Sequence, residues 1–316
     1  MNAKQAQAKL AQLESNVEKV IKGKKDVVRM SIIGLLARGH VLFEDVPGVG
    51  KTTLAHCLAL SFGLSFQRIQ FTSDLLPSDI LGVMVYDPQR HEFEFRPGPI
   101  FSNIVLVDEI NRTTPKTQSA LLEAMNLAQV SIEKTTYDLP HPFHVIATQN
   151  PVESHGIFPL PQSQLDRFLI RLHVGYPDAN FEREILQNHR QSNDLSMIHP
   201  VISSDELEQM QNGADNVKID DSLLDYIVRF VRLTRESPLI EVGISTRGAL
   251  ALRRASQACA YLEGRDYCIP DDIKAMAIPT LAHRIVPARH LESSGEDIGI
   301  GSAHIRAILE EVEVPV

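Results

Sequence analysis

Residues 43–54 read FEDVPGVGKTTL and place a glycine-rich turn between an apolar run, HVLFE, and a segment with a helical pattern. A strand, a glycine-rich turn and a helix in this order are what a phosphate-binding loop needs, because such a loop directs backbone N–H groups at an anion. Gly48 and Gly50 would leave those groups unobstructed. The usual pattern is G-x-x-x-x-G-K-[ST], and its first glycine is replaced here by Asp45, a good turn former at the loop entry. We therefore predict a working phosphate site.

The loop supplies two further groups. Lys51 is expected to bridge the β- and γ-phosphates of a bound nucleotide, and the hydroxyl of Thr52 is expected to ligand Mg²⁺. The remaining loop residues predicted to bind the nucleotide are Val46, Pro47, Gly48, Val49, Gly50 and Thr53.

A second motif, IVLVDEINR, ends an apolar run with two adjacent acids, Asp108 and Glu109. In a parallel sheet the carboxyl ends of the strands face one crevice, so these acids are expected beside the phosphate loop. Asp108 would then hold Mg²⁺, and Glu109 would orient a water molecule for in-line attack on the γ-phosphate. The alternative, that the two acids only end a strand at the surface, stays open at this point.

Short apolar runs alternate with helical patterns from about residue 40 to 175, which indicates βαβ units and a parallel sheet. Beyond that region the strand pattern stops and helices take over. We predict an α/β nucleotide-binding core, residues 1–178, followed by a small all-α domain, residues 179–316, because 316 residues are more typical of two domains than of one. The predicted strands are His40–Glu44, Phe66–Phe71, Asn103–Glu109, Phe143–Thr148 and Phe168–Val174.

Helix signals support this division. A helix should begin at Thr114 and Pro115, a capping residue followed by a proline in the first turn. In the second half Ser203 and Glu206 form a capping box, and another helix should run from about residue 246 to residue 264. Residues spaced i, i+3, i+4 and i+7 predict one apolar helix face, made of Leu224, Ile227, Val228 and Val231.

The segment GVMVYDPQRHEFEFR, residues 82–96, alternates apolar and polar residues around Asp87 and Pro88, which is a β-hairpin pattern. It is inserted between the second and third predicted strands, where a plain βαβ unit would have only a helix. Two interpretations stay open: a structural elaboration, or a moving loop that contacts a partner.

Composition excludes several classes of protein. The net charge of −9 argues against a broad surface that coats nucleic acid. Three cysteines make no disulfide framework and show no metal-binding spacing, which is typical of a reducing compartment. The chain has no signal-peptide core and no run of about 18 apolar residues, so we expect a cytoplasmic protein without a membrane span.

Four segments, GVGKTTL, VLVDEINRTTPKTQSALLEAM, VIATQNP and FPLPQSQLDRFLIRL, occur in an order that resembles the MoxR family of AAA+ ATPases. The resemblance covers nearly the whole chain and also includes the inserted hairpin. It implies an αβα core with a five-stranded sheet, a helical lid and assembly into rings, commonly hexamers. It further implies hydrolysis of ATP to ADP and chaperone-like work on other proteins, often beside a von Willebrand factor A-domain partner.

The resemblance also implies roles for single residues. Asn150 in ATQNP matches sensor 1, which reads the γ-phosphate, although it could also be only a turn residue before proline. Arg167 in LDRF matches the arginine finger that reaches a neighbouring subunit's nucleotide, although from the residues alone it could equally pair with Asp166 or another carboxylate of its own chain. Arg247 in STRGAL matches sensor 2 on the lid. The segment predicted to pack on adenine contains Val20, Ile21 and Gly23.

Three residues depart from the family pattern: Asp45, Gln162 where glutamate is common, and His155 where an acid is common. The last two lie in the segment before the predicted finger and concern contacts between subunits. The favoured interpretation is an Mg²⁺-dependent ring ATPase that remodels client proteins or helps to insert a metal or cofactor. The alternatives are a nucleotide-gated scaffold with little turnover and a motor subunit of magnesium-chelatase type.

Overall fold

The computed structural model describes residues 1–45, 48–133, 135–150, 157–187, 195–288 and 297–315, with the backbone alone at 184, 185, 297 and 298. Within these residues the strands are β1 His40–Glu44, β2 Phe66–Gln70, β3 Gly82–Asp87, β4 Glu92–Pro97, β5 Ile104–Asp108, β6 Gln129–Ile132, β7 Thr135–Asp138, β8 His144–Gln149, β9 Phe168–Leu172, β10 Ile240–Val242 and β11 Val286–Pro287. The helices are α1 Ala3–Glu18, α2 Lys25–Leu36, α3 Lys51–Ser61, α4 Pro77–Leu81, α5 Pro115–Leu127, α6 Gln162–Leu165, α7 Ala179–Gln187, α8 Ser204–Asp215, α9 Asp221–Glu236, α10 Thr246–Leu262, α11 Pro270–Leu281 and α12 Asp297–Glu311.

Five strands form one parallel sheet in the order β2-β5-β8-β1-β9. Strands β1 and β5 are buried along their whole length. Because helices cover both faces of such a sheet, its central strands are continuous apolar runs instead of alternating ones. The predicted five-stranded parallel sheet is confirmed, with strand ends that differ from the prediction by at most two residues.

Two buried clusters of apolar side chains lie on opposite sides of this sheet. The smaller one joins β5 and β8 to α5, for example through Val107 and Leu121. The larger one joins α1, α2 and α3 to the helices of the second half, and it includes Leu10, Ile32 and Leu252. Helix α10 packs against α1, α2, α8, α9 and α11, and α11 packs against β9. The division at residue 178 stays a prediction, since the N-terminal helices share their core with the helical region.

The inserted hairpin is present as the antiparallel pair β3–β4, which runs from Gly82 opposite Pro97 to Asp87 opposite Glu92. Its base is held by an aromatic contact, since Phe95 stacks on Tyr137 of β7 with ring centroids 4.2 Å apart. The β6–β7 hairpin and the short β10–β11 pair were not predicted. Their strands have at most four residues, which is too few for an alternating pattern to be recognised.

The predicted apolar face of α9 is wrong in its orientation. Val228 is 52% exposed and Leu224 is only half-buried. A second set at helical spacing includes Tyr226 and Phe230, and burying these larger side chains removes more apolar surface from water. The residues buried on α9 are Leu223, Tyr226, Ile227, Phe230, Val231 and Thr234.

Three helix ends can be compared with those predicted from the sequence. The capping box is confirmed, because Glu206 N–H donates to Ser203 Oγ at 3.2 Å and Ser203 N–H donates to Glu206 Oε2 at 3.1 Å. Pro115 is the first residue of α5, but the side chain of Thr114 makes no capping hydrogen bond to the backbone. Gly264 follows α10 with a left-handed φ of +77°.

The three cysteines are buried, and burial raises the pKa of each thiol to about 12. They are therefore protonated at neutral pH. Across the described part of the chain, no three His, Cys, Asp or Glu side chains are grouped so that they could hold a metal ion. No helix in that part has both the length and the apolar character needed to cross a membrane.

Two valines of α9 test the corrected helix face. We expect Val231→Ala to lower the free energy of unfolding by about 2 kcal/mol, because two buried methyl groups are lost and a cavity remains. The matched change Val228→Ala should stay within about 0.5 kcal/mol of wild type, because that side chain is exposed. Urea denaturation followed by circular dichroism measures both, and equal losses in the two variants would restore the face predicted from spacing alone, which contains both valines.

Candidate nucleotide-binding site

The loop between β1 and α3 lies at the centre of the site. Gly48 and Gly50 have φ angles of +87° and +90°, in the left-handed region that favours glycine. Among the described residues, and apart from the chain neighbours of each glycine, no atom lies within 4 Å of the position that a Cβ would take on Gly48 or Gly50. Gly50 directly precedes α3, and the first N–H groups of a helix lack partners within it. Val46 and Pro47 lie outside the described residues.

A cavity of about 370 Å³ opens over this loop, within the size range of small-molecule sites. Side chains from the loop and from the carboxyl ends of β2, β5 and β8 meet there, because parallel strands end on the same side of the sheet. The lining residues are Gly48, Gly50, Lys51, Thr52, Thr53, Arg68, Gln70, Asp108, Glu109, Thr148 and Asn150.

The Lys51 ammonium group is held by the loop itself, since Nζ donates a 2.8 Å hydrogen bond to the carbonyl oxygen of Asp45. Partial burial lowers the pKa of Lys51, and the negative charges of Asp45, Asp108 and Glu109 oppose that shift. Asp45 has a separate contact, in which its Oδ2 accepts a 2.5 Å hydrogen bond from Gly175 N–H. The residue that replaces the loop's first glycine therefore ties the loop entry to the chain beyond β9.

Asp108 ends β5 and is 7% exposed. Its Oδ2 accepts a 2.6 Å hydrogen bond from Arg68 Nε, and its Oδ1 accepts a 3.2 Å bond from Thr148 Oγ1. The Thr52 hydroxyl lines the same cavity, so a carboxylate and a hydroxyl are available as oxygen ligands of the kind that Mg²⁺ prefers. With so few protein ligands, the rest of such an ion's shell would have to come from phosphates and water.

Glu109 adopts a left-handed φ of +58°, which is uncommon for a residue with a side chain and is concentrated at functional sites. Its N–H donates to Thr148 Oγ1 at 2.9 Å. Its Oε2 accepts hydrogen bonds from Gln70 Nε2 at 2.8 Å and from Arg112 Nη1 at 2.9 Å. The backbone turn thus directs the second acid away from Asp108 and towards the neighbouring strand.

Asn150 follows β8, is 6% exposed and lines the same cavity as Lys51 and Glu109. Its carbonyl oxygen accepts a 3.4 Å hydrogen bond from Asn111 Nδ2. The residue matched to sensor 1 is therefore buried at the edge of the phosphate cavity.

Arg167 and Arg247 are next to each other but not at this cavity. Both line a second cavity, together with Arg38, Arg254 and Arg284. The described residues that line the phosphate cavity all belong to the region before residue 178, so Arg247 and the rest of the helical region lie outside this cavity. The reason is packing: α10, which carries Arg247, lies against α1 and α2 on the far side of β1.

The predicted adenine segment is also separate from the phosphate cavity, which none of Val20, Ile21 and Gly23 lines. Val20 is 5% exposed, and Ile21 packs against the larger core. Gly23 has φ +67°, and a Cβ there would lie 2.4 Å from the ring of Phe181. These residues join the N-terminal helices to α7, and an adenine contact by them stays a prediction. Val49, from the loop, likewise packs against the larger core.

Sequence reasoning missed three polar residues of the site: Arg68, Gln70 and Thr148. All three lie in stretches that were recognised as strands. A usable signal was present, because polar side chains near the carboxyl end of a parallel strand point to the ligand crevice. The rule that places Asp108 in the site also places Arg68 and Gln70 of β2 and Thr148 of β8 there.

Comparison with known proteins agrees with this geometry. The family model described as "ATPase family associated with various cellular activities (AAA)" matches residues 40–170, and the AAA lid domain model matches residues 232–299. Chaperone MoxR1 of Mycobacterium tuberculosis is 41% identical over 279 residues, 85% of this chain and 74% of that protein. The chain belongs to the MoxR family of AAA+ ATPases.

Two further relatives match along nearly their full length. Uncharacterized protein YeaC of Bacillus subtilis is 50% identical over 307 residues, 97% of this chain and 95% of that protein. A crystal structure from Cytophaga hutchinsonii, provisionally assigned as an ATPase, superposes with a TM-score of 0.90 at 39% identity. That match covers 99% of this chain and 97% of the other.

The departures from the MoxR pattern have separate outcomes. Gln162 Nε2 donates a 2.8 Å hydrogen bond to the carbonyl oxygen of His283. The glutamate common in the family could not donate this bond when ionised, so the glutamine is explained by its partner. His155 lies outside the described residues.

Asp45 offers a test of what the first loop position does. We expect Asp45→Ala to lower the free energy of unfolding by about 1.5–3 kcal/mol, because the hydrogen bond from Gly175 is to a charged group. Asp45→Asn keeps a hydrogen-bond acceptor and should lower the free energy of unfolding less than Asp45→Ala does. The Kd for ATP should rise less than about fivefold, roughly 1 kcal/mol, since Lys51 contacts the backbone carbonyl of residue 45. Calorimetry measures both, and lost ATP binding with unchanged stability would place the carboxylate in the nucleotide site.

Proposed function

We propose that this MoxR-family protein hydrolyses ATP to ADP and phosphate in an Mg²⁺-dependent reaction. One observation carries the proposal: Lys51, Thr52, Asp108, Glu109 and Asn150 line a single cavity over a glycine loop. These side chains come from distant parts of the chain and supply the kinds of group that phosphoryl transfer requires: a phosphate-binding cation, metal ligands and a water-orienting carboxylate.

In this proposal the loop N–H groups around Gly48 and Gly50 bind phosphate oxygens, and Lys51 exchanges its loop carbonyl for the β- and γ-phosphates. Thr52 and Asp108 would hold Mg²⁺, which supplies positive charge beside the transferring phosphoryl group. Arg68 already pairs with Asp108 at 2.6 Å, so this arginine holds the carboxylate in place at the cavity edge.

Glu109 is the proposed general base. Its carboxylate would accept a hydrogen bond from the attacking water and align that water with the γ-phosphate. Gln70 and Arg112 now bond to the same carboxylate oxygen, so they set its direction. Asn150 would hold the other side of the water or the γ-phosphate.

The site would be completed by a second subunit. Arg167 and Arg247 line one cavity that is separate from the phosphate cavity of their own chain. A loose transition state gains from added positive charge near the γ-phosphate. Both arginines would therefore act on a neighbour's nucleotide, in a homo-oligomeric ring that the family resemblance suggests is a hexamer.

The work done with this energy would be chaperone-like remodelling of client proteins, as the name of the Mycobacterium tuberculosis relative, Chaperone MoxR1, suggests. Metal or cofactor insertion into a client would be one form of that work, on the family resemblance alone. The β3–β4 hairpin is a candidate contact, since Val83, Tyr86 and Phe93 expose 44%, 46% and 67% of their surface. A von Willebrand factor A-domain protein is the proposed adaptor, on the resemblance alone.

Two alternatives remain distinct. A nucleotide-gated scaffold would bind ATP and assemble without appreciable turnover, and an intact Glu109 is not needed for that role. A magnesium-chelatase-like subunit would support metal insertion into a porphyrin when chelatase partners are added. Turnover favours the first proposal over the scaffold, and a metal-insertion assay with chelatase partners separates it from the chelatase-like subunit.

The proposed roles of Lys51 in binding ATP and of Glu109 in hydrolysis can be separated by mutation. We expect Lys51→Ala to abolish ATP binding, because the phosphate charge loses its main partner. Glu109→Gln should bind ATP with a Kd close to that of wild type and lose about 10²–10⁴-fold in turnover, since only the base is removed. Titration calorimetry and phosphate release measure these effects. Glu310→Gln, the same change on an exposed residue of α12, is the control, and wild-type turnover in Glu109→Gln would contradict the assigned role.

Mixed subunits test whether the arginines act between chains. Arg167→Ala and Arg247→Ala should each lose turnover, and the specific rate of wild type should rise with protein concentration. Mixing either variant with Glu109→Gln should restore part of the rate, because each arginine variant keeps a complete phosphate cavity and receives both arginines from its neighbour. A mixture of Arg167→Ala with Arg247→Ala should stay inactive. If Arg247→Ala alone is not rescued by Glu109→Gln, Arg247 acts within its own subunit.

A further inference from the structure

The turn that carries Arg167 is joined to the helical region. It lies between α6 and β9, against the short 3-10 turn Ala282–Arg284 that follows α11. Arg284 makes most of the connection and is 4% exposed. A finger would normally be expected on a free surface loop, so its attachment to the lid requires an explanation.

The Arg284 guanidinium group binds successive residues of this turn. Nε donates to Asp166 Oδ1 at 2.8 Å, and Nη2 donates to the carbonyl oxygens of Phe168 at 2.7 Å and Asp166 at 3.2 Å. Nη1 donates to the carbonyl oxygen of Leu169 at 3.2 Å. One side chain from the lid therefore holds the backbone on both sides of Arg167.

Asp166 and Gln162 add to this connection. Asp166 Oδ2 lies 3.8 Å from Arg247 Nη1, so one carboxylate contacts two lid arginines and adjoins the finger in sequence. Gln162 Nε2 donates to the carbonyl oxygen of His283 at 2.8 Å. The His283 ring is bonded through Nε2 to the carbonyl oxygen of Phe168 at 3.0 Å.

The connection is costly to break. Burial lowers the pKa of Arg284 to about 10 and Asp166 opposes that shift, so the guanidinium group stays charged at neutral pH. A buried charge that loses its carboxylate is strongly destabilised, and the carbonyls of the turn would lose their donors. The turn, the start of β9 and the lid should therefore move together as one body.

We propose that Arg284, acting through Asp166, is a positioning residue that couples the lid of each subunit to that subunit's own finger, Arg167. A movement of the helical region would then carry Arg167 and Arg247 together towards or away from the neighbour's phosphates. A displacement of a reacting or catalytic group by about 1 Å can cost on the order of 10²-fold in rate. A small shift of the lid is therefore enough to switch ATP hydrolysis in the neighbouring subunit on or off. This inference rests on the proposed action of Arg167 between subunits.

The test replaces Asp166 by asparagine, which keeps the shape and removes the charge that both lid arginines contact. We expect assemblies of Asp166→Asn to lose on the order of 10²-fold in ATP turnover while the Kd for ATP stays within about twofold of wild type. Mixing Asp166→Asn with Glu109→Gln should restore turnover, because the first supplies an intact phosphate cavity and the second an intact finger. A variant that is only damaged in folding would not be rescued.

A second ion pair in the helical region gives a matched control. Asp272 is 3% exposed and accepts two hydrogen bonds from Arg265, at 2.7 and 2.6 Å, away from the finger. Asp272→Asn should lower thermal stability at least as much as Asp166→Asn and leave turnover per folded subunit unchanged. Gln162→Glu, which removes the bond to His283 and places a negative charge beside that carbonyl oxygen, should lower turnover less than Asp166→Asn and be rescued in the same way. If Asp166→Asn does not fold, the turnover of Gln162→Glu tests the coupling of the lid to Arg167 instead.

Wild-type turnover in both Asp166→Asn and Gln162→Glu would overturn the coupling. So would a loss of turnover that Glu109→Gln fails to restore while it does restore Arg167→Ala. If mixing with Glu109→Gln does not restore the turnover of Arg167→Ala, the proposal that two subunits share the ATPase site is wrong. The coupling through Arg284, which rests on that proposal, is then wrong as well. Equal losses of turnover in Asp272→Asn and Asp166→Asn would reduce Arg284 to a structural residue.

Discussion

Parallel pairing of β5, β8 and β1 is the interaction on which the site depends. The register sets Val107 beside Ala147 and Phe43 beside Thr148, so these three strands end at nearly the same level. Chain segments separated by about a hundred residues therefore deliver a loop, a pair of acids and an amide to one edge of the sheet. A parallel sheet needs a crossover connection between neighbouring strands, and these connections cover its faces with helices and leave the carboxyl edge open for a ligand.

The helices that cover the sheet also determine where the helical region packs. Helices α1 and α2 present apolar faces that α8 and α10 bury, and α11 closes on β9. Once the helical region is packed there, Arg247 lies beside Arg167 and away from the loop of its own chain. The position of the arginines follows from burial of apolar surface, and the electrostatic role proposed for them follows from that position.

Two residues that depart from the family pattern, Asp45 and Gln162, make hydrogen bonds between separate parts of this chain. Asp45 replaces a glycine and uses its carboxylate to fix the loop entry to Gly175. Gln162 replaces a common glutamate and uses its amide to bind the lid at His283. Each replacement creates a hydrogen bond that the family's usual residue could not make, and each lies where two parts of the chain must keep a fixed distance.

Sequence alone determined the local parts of this protein: the strands that became β1, β5 and β8, the glycine loop, the acid pair, the capping box before α8 and the β3–β4 hairpin. These are set by short-range periodicity, turn geometry and capping, which need only neighbouring residues. Tertiary structure decided the rest. The orientation of α9 depended on which of two apolar faces buried more surface, and Arg68, Gln70 and Thr148 entered the site only through strand neighbours. The separation of Arg247 from its own phosphate cavity arose from packing between helices more than 200 residues apart in sequence, for which no local pattern exists.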